Sequence, residues 1–191
     1  LRQYEQSIEL WRRVVREHPL DPQYGRALAL ALYRYATHLA RTGDDWRSID
    51  SMKEGRGVFE SVIPQIADDP NVLKEYALLL FELANSQYRA GNRDEARQIY
   101  ESSLAAYYQL RKVEPDSLDY EVRWAQVART LGISIRRQDG KRSHELFESS
   151  RAAFEEVLKH RPQDTTTNVQ YAETCRVLGI YRLNHDIDGA L

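Results

Sequence analysis

The sequence is poor in the residues and segments that mark several protein classes. Its one cysteine, Cys175, excludes an intrachain disulfide framework and leaves no CxxC pair for zinc or redox chemistry. No apolar run approaches the roughly 18 residues of a membrane helix, and no charged-then-apolar signal segment opens the chain. These absences predict a soluble, cytoplasmic protein without a membrane partner.

Neither sign of charge is in excess. Lys and Arg total 27 and Asp and Glu total 29, a net charge of −2, so no nucleic-acid partner is expected. Hydrophobic residues make up 42% of the chain, enough for one substantial core or a short extended array. The chain starts at Leu1 and has Met52 as its single methionine, so we expect a fragment of a longer protein.

An internal repeat of 47 or 48 residues runs through the chain. The segments WAQVARTLGI (124–133) and YAETCRVLGI (171–180) superpose without a gap at a spacing of 47. Moving back by 48 residues gives YALLLFELAN (76–85), and by 48 again LALALYRYAT (28–37). A small residue recurs at one position of all four segments: Ala36, Ala84, Gly132 and Gly179.

Large apolar residues between these segments repeat with the same period. One series is Tyr4, Met52, Tyr100 and Phe147, and a second series, seven residues later, is Trp11, Phe59, Tyr107 and Phe154. Residues seven apart lie on one face of a helix. Helix stops recur as well, at Gly43, Gly91 and Gly140 and at Pro19, Pro115 and Pro162.

Each unit is therefore predicted to be a helical hairpin, helix A followed by helix B. The predicted helices are 2–18, 23–41, 45–66, 70–89, 93–113, 117–137, 143–160 and 166–183, starting with B. The predicted N-caps are Asp44, Asp69, Asn92, Asp116, Ser143 and Thr165 or Thr166. No stretch alternates as a strand does. The predicted fold class is all-α, a right-handed α-solenoid of about four stacked antiparallel helix pairs.

We interpret residues 1–191 as a single repeat domain. Its units are approximately 23–68, 69–115 and 116–163, with a partial unit at 164–191 and the end of a preceding unit at 1–22.

The residues of the third hairpin resemble a known repeat family. In LFELANSQYRAGNRDEARQIYESSL, tetratricopeptide repeat (TPR) positions are occupied by Leu83, Ala84, Tyr88, Gly91, Ala96, Tyr100 and Leu104. The chain thus resembles a TPR array with extended B helices. More loosely, REHPLDPQYGRALALALYRYA is similar to TPR tails of bacterial serine/threonine protein kinases, although no kinase motif is present.

The resemblance implies a peptide or partner protein segment bound in a concave groove lined by A helices. A helical wheel, translated by the period, gives the expected groove residues: Tyr33, Phe81, Asn85, Tyr88, Arg89, Arg129, Arg136, Arg137 and Arg176. The aromatic residues would anchor apolar side chains, and the arginines would select acidic groups. The lysines of a chaperone-binding carboxylate clamp are absent, so a chaperone C-terminus is not expected.

Two alternatives stay open at this stage. Leu78 and Phe81 belong to a helix that is apolar almost all round, which is typical of ordinary core, and the arginines could form solvated faces. As a function, the alternative is a structural scaffold that self-associates, with its groove filled by its own chain or a second copy.

No catalytic, cofactor-binding or metal-ligating residue is predicted, and we expect a non-enzymatic protein. The five histidines lack zinc spacing, and the acidic pairs at 44–45 and 68–69 lie at predicted helix starts. NHDIDGAL (184–191) resembles the start of a calcium loop, but the repeat already explains Gly189 as an A–B turn. Cys175 aligns with Leu80 and Ala128 and is expected to be buried.

Overall fold

The computed structural model describes residues 1–66 and 69–188, with side chains as far as Leu183 at the C-terminal end. Its α-helices are α1 (Arg2–Glu17), α2 (Pro22–Arg41), α3 (Asp45–Val62), α4 (Pro70–Arg89), α5 (Arg93–Val113), α6 (Leu118–Ile135), α7 (Gly140–His160) and α8 (Thr165–Asp188). A 3₁₀ turn, Ile63–Gln65, follows α3. No strand occurs within the described ranges, and the predicted fold class of helix pairs, an α-solenoid, is confirmed.

The predicted helices are all present, and the main differences lie around the turn between α6 and α7. The sequence prediction treated Gly140 as a helix stop and Ser143 as an N-cap, and both predictions are wrong. Asp139 precedes α7, and its Oδ1 accepts a hydrogen bond from the Arg142 amide at 2.9 Å. Gly140 begins the helix, whereas Gly43 and Gly91 have the positive φ angles, 84° and 88°, of true glycine turns.

Three other predicted caps are corrected or qualified. Asp69 caps α4 as expected, accepting from the Asn71 amide at 2.9 Å. Asp44 precedes α3, but its side chain makes no capping hydrogen bond. Before α8 the cap is Asp164 and not a threonine, because the Asp164 carboxylate accepts from the Thr166 amide at 3.0 Å.

The chain divides into two compact units, of which the first is Leu1–Ala106. Its A helices α2 and α4 alternate with the B helices α1 and α3 and the first part of α5. One core cluster, between α1 and α2, consists of Ile8, Leu28, Leu32, Tyr35 and Leu39. A second, between α2, α3 and α4, consists of Ala29, Phe59, Val62, Val72 and Leu79.

Arg26 ties the consecutive A helices of this first unit together. Its guanidinium donates two hydrogen bonds to the Glu75 carboxylate of α4, at 2.7 and 2.8 Å. A third hydrogen bond, 3.0 Å long, joins it to Asp69, the N-cap of α4. The Arg26 side chain is only 21% exposed, so this charge-assisted pair is screened less than an ordinary surface pair.

The second unit is Tyr107–Leu191. Here α7 packs on α6 through Ala125, Ala153 and Phe154. On its other side α7 packs on α8, where Phe147 meets Val177 and Leu178. In both units a B helix contacts the A helix before it more extensively than the A helix after it.

Buried serines of the B helices donate hydrogen bonds to main-chain carbonyls of the preceding A helices, and we call this row of contacts the serine seam. Its members are Ser48 to Ala36 O (2.9 Å), Ser103 to Ala77 O, Ser143 to Gly132 O and Ser150 to Ala125 O (each 2.8 Å). The seam requires close approach of the two backbones. This explains the recurring small residue, because a Cβ at Gly132 would lie 2.7 Å from Phe147 Cε1.

None of the helices within the described residues has the length and apolar character that crossing a bilayer requires.

Candidate functional site

A concave site of about 320 Å³ lies between α2, α3 and α4 in the first unit. Four residues on successive turns of α2 line one wall: Tyr33, Thr37, Ala40 and Arg41. The opposite wall is α4, with Glu82, Ser86 and Arg89, and α3 contributes Met52. The A helices form both walls because their exposed faces, one period apart, repeat on neighbouring hairpins.

The polar groups of this site include two guanidinium groups and several hydroxyls. Arg89 Nη2 donates to Ser86 Oγ at 3.0 Å and lies 3.6 Å from Asp45 Oδ1, and its side chain is 49% exposed. Arg41 is exposed at the C-terminal end of α2. Such groups can pair with a carboxylate, while the half-buried Tyr33 offers an aromatic surface to an apolar side chain.

The predicted groove residues of α4 fall into two groups. Arg89 belongs to the concave site, and Tyr88 beside it is 37% exposed. Phe81 and Asn85, both half-buried, contact the B helix α5. The Phe81 ring lies 6.0 Å from that of Tyr100, and Asn85 Oδ1 accepts a hydrogen bond from the Tyr100 hydroxyl at 2.7 Å. Burial raises the pKa of Tyr100, so this hydroxyl stays protonated and keeps donating.

The predicted basic residues of the second unit are less available than the helical wheel suggested. Arg129 is half-buried and donates through Nη2 to the Gln170 side chain, and its Nε is buried without a hydrogen-bond partner. Burial lowers the pKa of Arg129, and the nearby Arg176 adds to this. Arg176 itself donates twice to Glu173, at 3.0 and 2.8 Å.

The remaining two predicted arginines do not lie on helix A. Since α6 ends at Ile135, Arg136 and Arg137 occupy the turn before α7 and are exposed there. The helical wheel had placed them by extending α6 to residue 137. Between the arginines, Ile133 and Ile180 present apolar surface and are 40% and 37% exposed.

Three residues of the concave site were not among the sequence candidates. Met52 was read as core only, although one edge of it lines the cavity. Glu82 and Ser86 lie one and two turns before Arg89 on α4, so extending the predicted face along that helix would have found them. Glu82 places a carboxylate in the site and so limits its positive character.

Residues with other possible chemistry do not converge into a second kind of site. No group of three or more metal-binding side chains occurs in the part of the chain that the structure describes. The candidate calcium segment at 184–191 lies outside the described side chains. Cys175 is half-buried and not buried as predicted, because no B helix covers this face of α8.

Comparison with known proteins identifies the repeat. Residues 79–117 match the family model described as tetratricopeptide repeat. The matched segment covers the end of α4, all of α5 and the turn before α6. This agrees with the third hairpin on which the resemblance was based. No curated protein sequence matches the chain.

Two solved structures share the fold at low sequence identity. BtubC (BKLC) from P. vanneervenii superposes with a TM-score of 0.63 and 18% identity, covering 96% of this chain and 64% of that protein. This chain therefore spans less than two thirds of BtubC. The yeast histone chaperone Hif1, a scaffold protein recruiting protein complexes to core histones, superposes with a TM-score of 0.55 and 11% identity, covering 94% and 95%. At these identities the likeness concerns the fold alone.

Proposed function

The chain carries a tetratricopeptide repeat within an array of similar helix pairs, and from this premise we propose that it is a non-enzymatic protein-interaction module. The ligand is a peptide or partner segment with an apolar anchor and acidic groups. Folds of this type are typically interaction scaffolds without catalytic activity, and Hif1 is a scaffold protein with the same type of fold.

The observation that carries the proposal is the concave site of the first unit. Tyr33 and Met52 provide apolar surface there, and Arg41 and Arg89 provide positive charge at the rim. A peptide side chain inserted between α2 and α4 would meet the aromatic ring, and a carboxylate near it would meet a guanidinium. Glu82 on the same wall disfavours ligands with an acidic group at that depth and so fixes orientation.

The second unit supports the same mode of binding on a smaller scale. Arg176 is 60% exposed although paired with Glu173, and Ile133 and Ile180 supply the apolar component. A ligand carboxylate would compete with Glu173 for Arg176. Because a solvent-exposed pair of this kind is weak, exchange of one carboxylate for another costs little.

The wider biological setting is part of the proposal. The phrase at residues 16–36 that resembles bacterial kinase tails suggests a regulatory segment of a signalling kinase in the bacterial cytoplasm. In that setting the array would recruit substrates or regulators to the enzyme. This setting stays a prediction.

The test uses a random peptide library displayed on phage and selected on the whole chain. Selected peptides are expected to combine aromatic or aliphatic residues with Asp or Glu. Binding to Arg41→Gln/Arg89→Gln should weaken by about tenfold or more, since a hydrogen bond to a charged group contributes roughly 1.5–3 kcal/mol. The salt dependence should also decrease. Arg34→Gln, an exposed arginine of α2 outside the cavity lining, is the matched control.

The second unit has its own pair of variants. Arg129→Gln/Arg176→Gln removes the basic groups and Arg123→Gln, exposed on α6, is the control. Peptides whose affinity and salt dependence are the same for all variants and for the unchanged chain would contradict the proposed role of the arginines.

A further inference from the structure

The last A helix, α8, leaves open a face that is buried in every other A helix. In α6 this face consists of Ala125, Ala128 and Gly132, all buried under α7. One period later the same positions of α8 are Ala172 and Gly179, which are exposed, and Cys175, which is half-buried. A Cβ built at Gly179 would meet no atom within 4 Å, whereas at Gly132 it would meet Phe147. Val169, 53% exposed, extends this face.

The first B helix, α1, has the matching open face. Its residues Tyr4, Ser7, Leu10 and Trp11 correspond by the period to Phe147, Ser150, Ala153 and Phe154 of α7. In α7 these four residues are at most 6% exposed, because they pack between α6 and α8. In α1, by contrast, Tyr4 is 37% and Leu10 is 58% exposed.

Contacts of α1 with the following helix already follow the pattern of α7. The Tyr4 ring lies 6.0 Å from that of Tyr35, and Phe147 makes the equivalent contact with Leu178. What α1 lacks is the more extensive contact, the one a B helix makes with the A helix before it. That contact is also the one α8 lacks, so the two open faces are the two halves of one kind of interface.

We propose that α1 of one copy of this chain docks on α8 of a second copy and completes that interface. The Ser7 hydroxyl then donates to the Ala172 carbonyl, as Ser150 donates to Ala125 within the chain at 2.8 Å. The Tyr4 ring covers Gly179, and Leu10 packs on Val169 and Ala172. A second copy is the occupant because its α1 carries the aromatic, serine and apolar residues of α7 at the same spacings.

The association is head-to-tail, since each copy offers one α1 face and one α8 face. Such heterologous contacts extend into open chains unless the rotation between copies closes a ring. The contact uses none of the proposed peptide-binding residues, so it goes beyond the proposed function, and either can fail without the other.

The test measures molecular mass by sedimentation velocity over a concentration series of the whole chain. The unchanged protein is expected to form species above 22.3 kDa that grow with concentration. Leu10→Glu and Ala172→Glu each place a carboxylate on one exposed face, so each variant alone should sediment as a monomer. Ala152→Glu, at an exposed alanine of α7, is the matched control and should associate like the unchanged protein.

Mixing the two variants gives the sharpest outcome. The Leu10→Glu copy keeps an intact α8 face and the Ala172→Glu copy keeps an intact α1 face, so together they should form a dimer and nothing larger. Recovery of this dimer also shows that both variants are folded. A monomeric unchanged protein at all concentrations, association unaffected by either variant, or a mixture that stays monomeric would overturn the proposal.

Discussion

Substitution of Gly132 by alanine should change the sign of its effect when Phe147 is changed as well. In the unchanged protein the new Cβ would lie 2.7 Å from Cε1 and 3.0 Å from Cδ1 of the buried Phe147 ring. Such overpacking typically costs about 1–3 kcal/mol. Replacing a helical glycine by alanine favours the helix by roughly 1 kcal/mol. Gly132→Ala should therefore lower the free energy of unfolding by about 1 kcal/mol.

In a Phe147→Met background the balance reverses. The first hairpin carries this combination naturally, with Ala36 and Met52 at the equivalent positions, both buried. A flexible methionine can move away from the added methyl group, so only the helix preference remains. Gly132→Ala should then raise the free energy of unfolding by roughly 1 kcal/mol, a coupling of about 2 kcal/mol between the two sites.

Urea unfolding followed by far-ultraviolet circular dichroism measures all four proteins of this cycle. Gly57→Ala is the control, because Gly57 is exposed in α3 and a Cβ there would meet nothing within 4 Å. That variant should gain about 1 kcal/mol from helix preference alone. If Gly132→Ala stabilised the unchanged protein, or had the same effect in both backgrounds, steric contact with Phe147 would not explain the glycine.

Three further predictions concern contacts between helices. Arg26→Lys should lower the urea midpoint, by about 1 kcal/mol, because lysine cannot make the bidentate contact with Glu75, and high salt should reduce the difference. Burial raises the pKa of Tyr76 from 10.0 to about 12. The unfolded chain therefore loses this proton first, so the free energy of unfolding should fall between these pH values, and less steeply in Tyr76→Phe. Ser150→Ala should cost about 1 kcal/mol in thermal or urea unfolding, with exposed Ser149→Ala unchanged.

The helical hairpins were predictable because two independent series repeat with one period. Small residues at Gly132 and its equivalents and large residues at Phe147 and its equivalents face each other across the seam, so each series constrains the other. The helix ends were less predictable. Gly140 occupies the position of two true turn glycines, but Asp139 immediately before it supplies a cap, and a glycine is then tolerated as a first helical residue.

Candidate site residues depended on information that a helical wheel does not contain. The wheel identified Tyr33 and Arg89, which do line one site, since their faces follow directly from helical periodicity. It also selected Asn85, which the Tyr100 hydroxyl engages from a neighbouring helix. For Arg136 the wheel failed because the helix ends at the residue before it. Periodicity defines a face, and only the neighbouring helices determine how much of that face remains accessible.

The serine seam also bears on how such an array can be rearranged. Each serine uses a main-chain carbonyl as its acceptor, and every residue of an A helix offers one whatever its side chain. Pairing between a B helix and its A helix is therefore not written into a particular pair of side chains. A gene segment encoding one period could be duplicated, deleted or exchanged, and the new neighbours would find the same acceptors in place. The seam makes the hairpins interchangeable parts, in which length can vary while the local geometry is inherited.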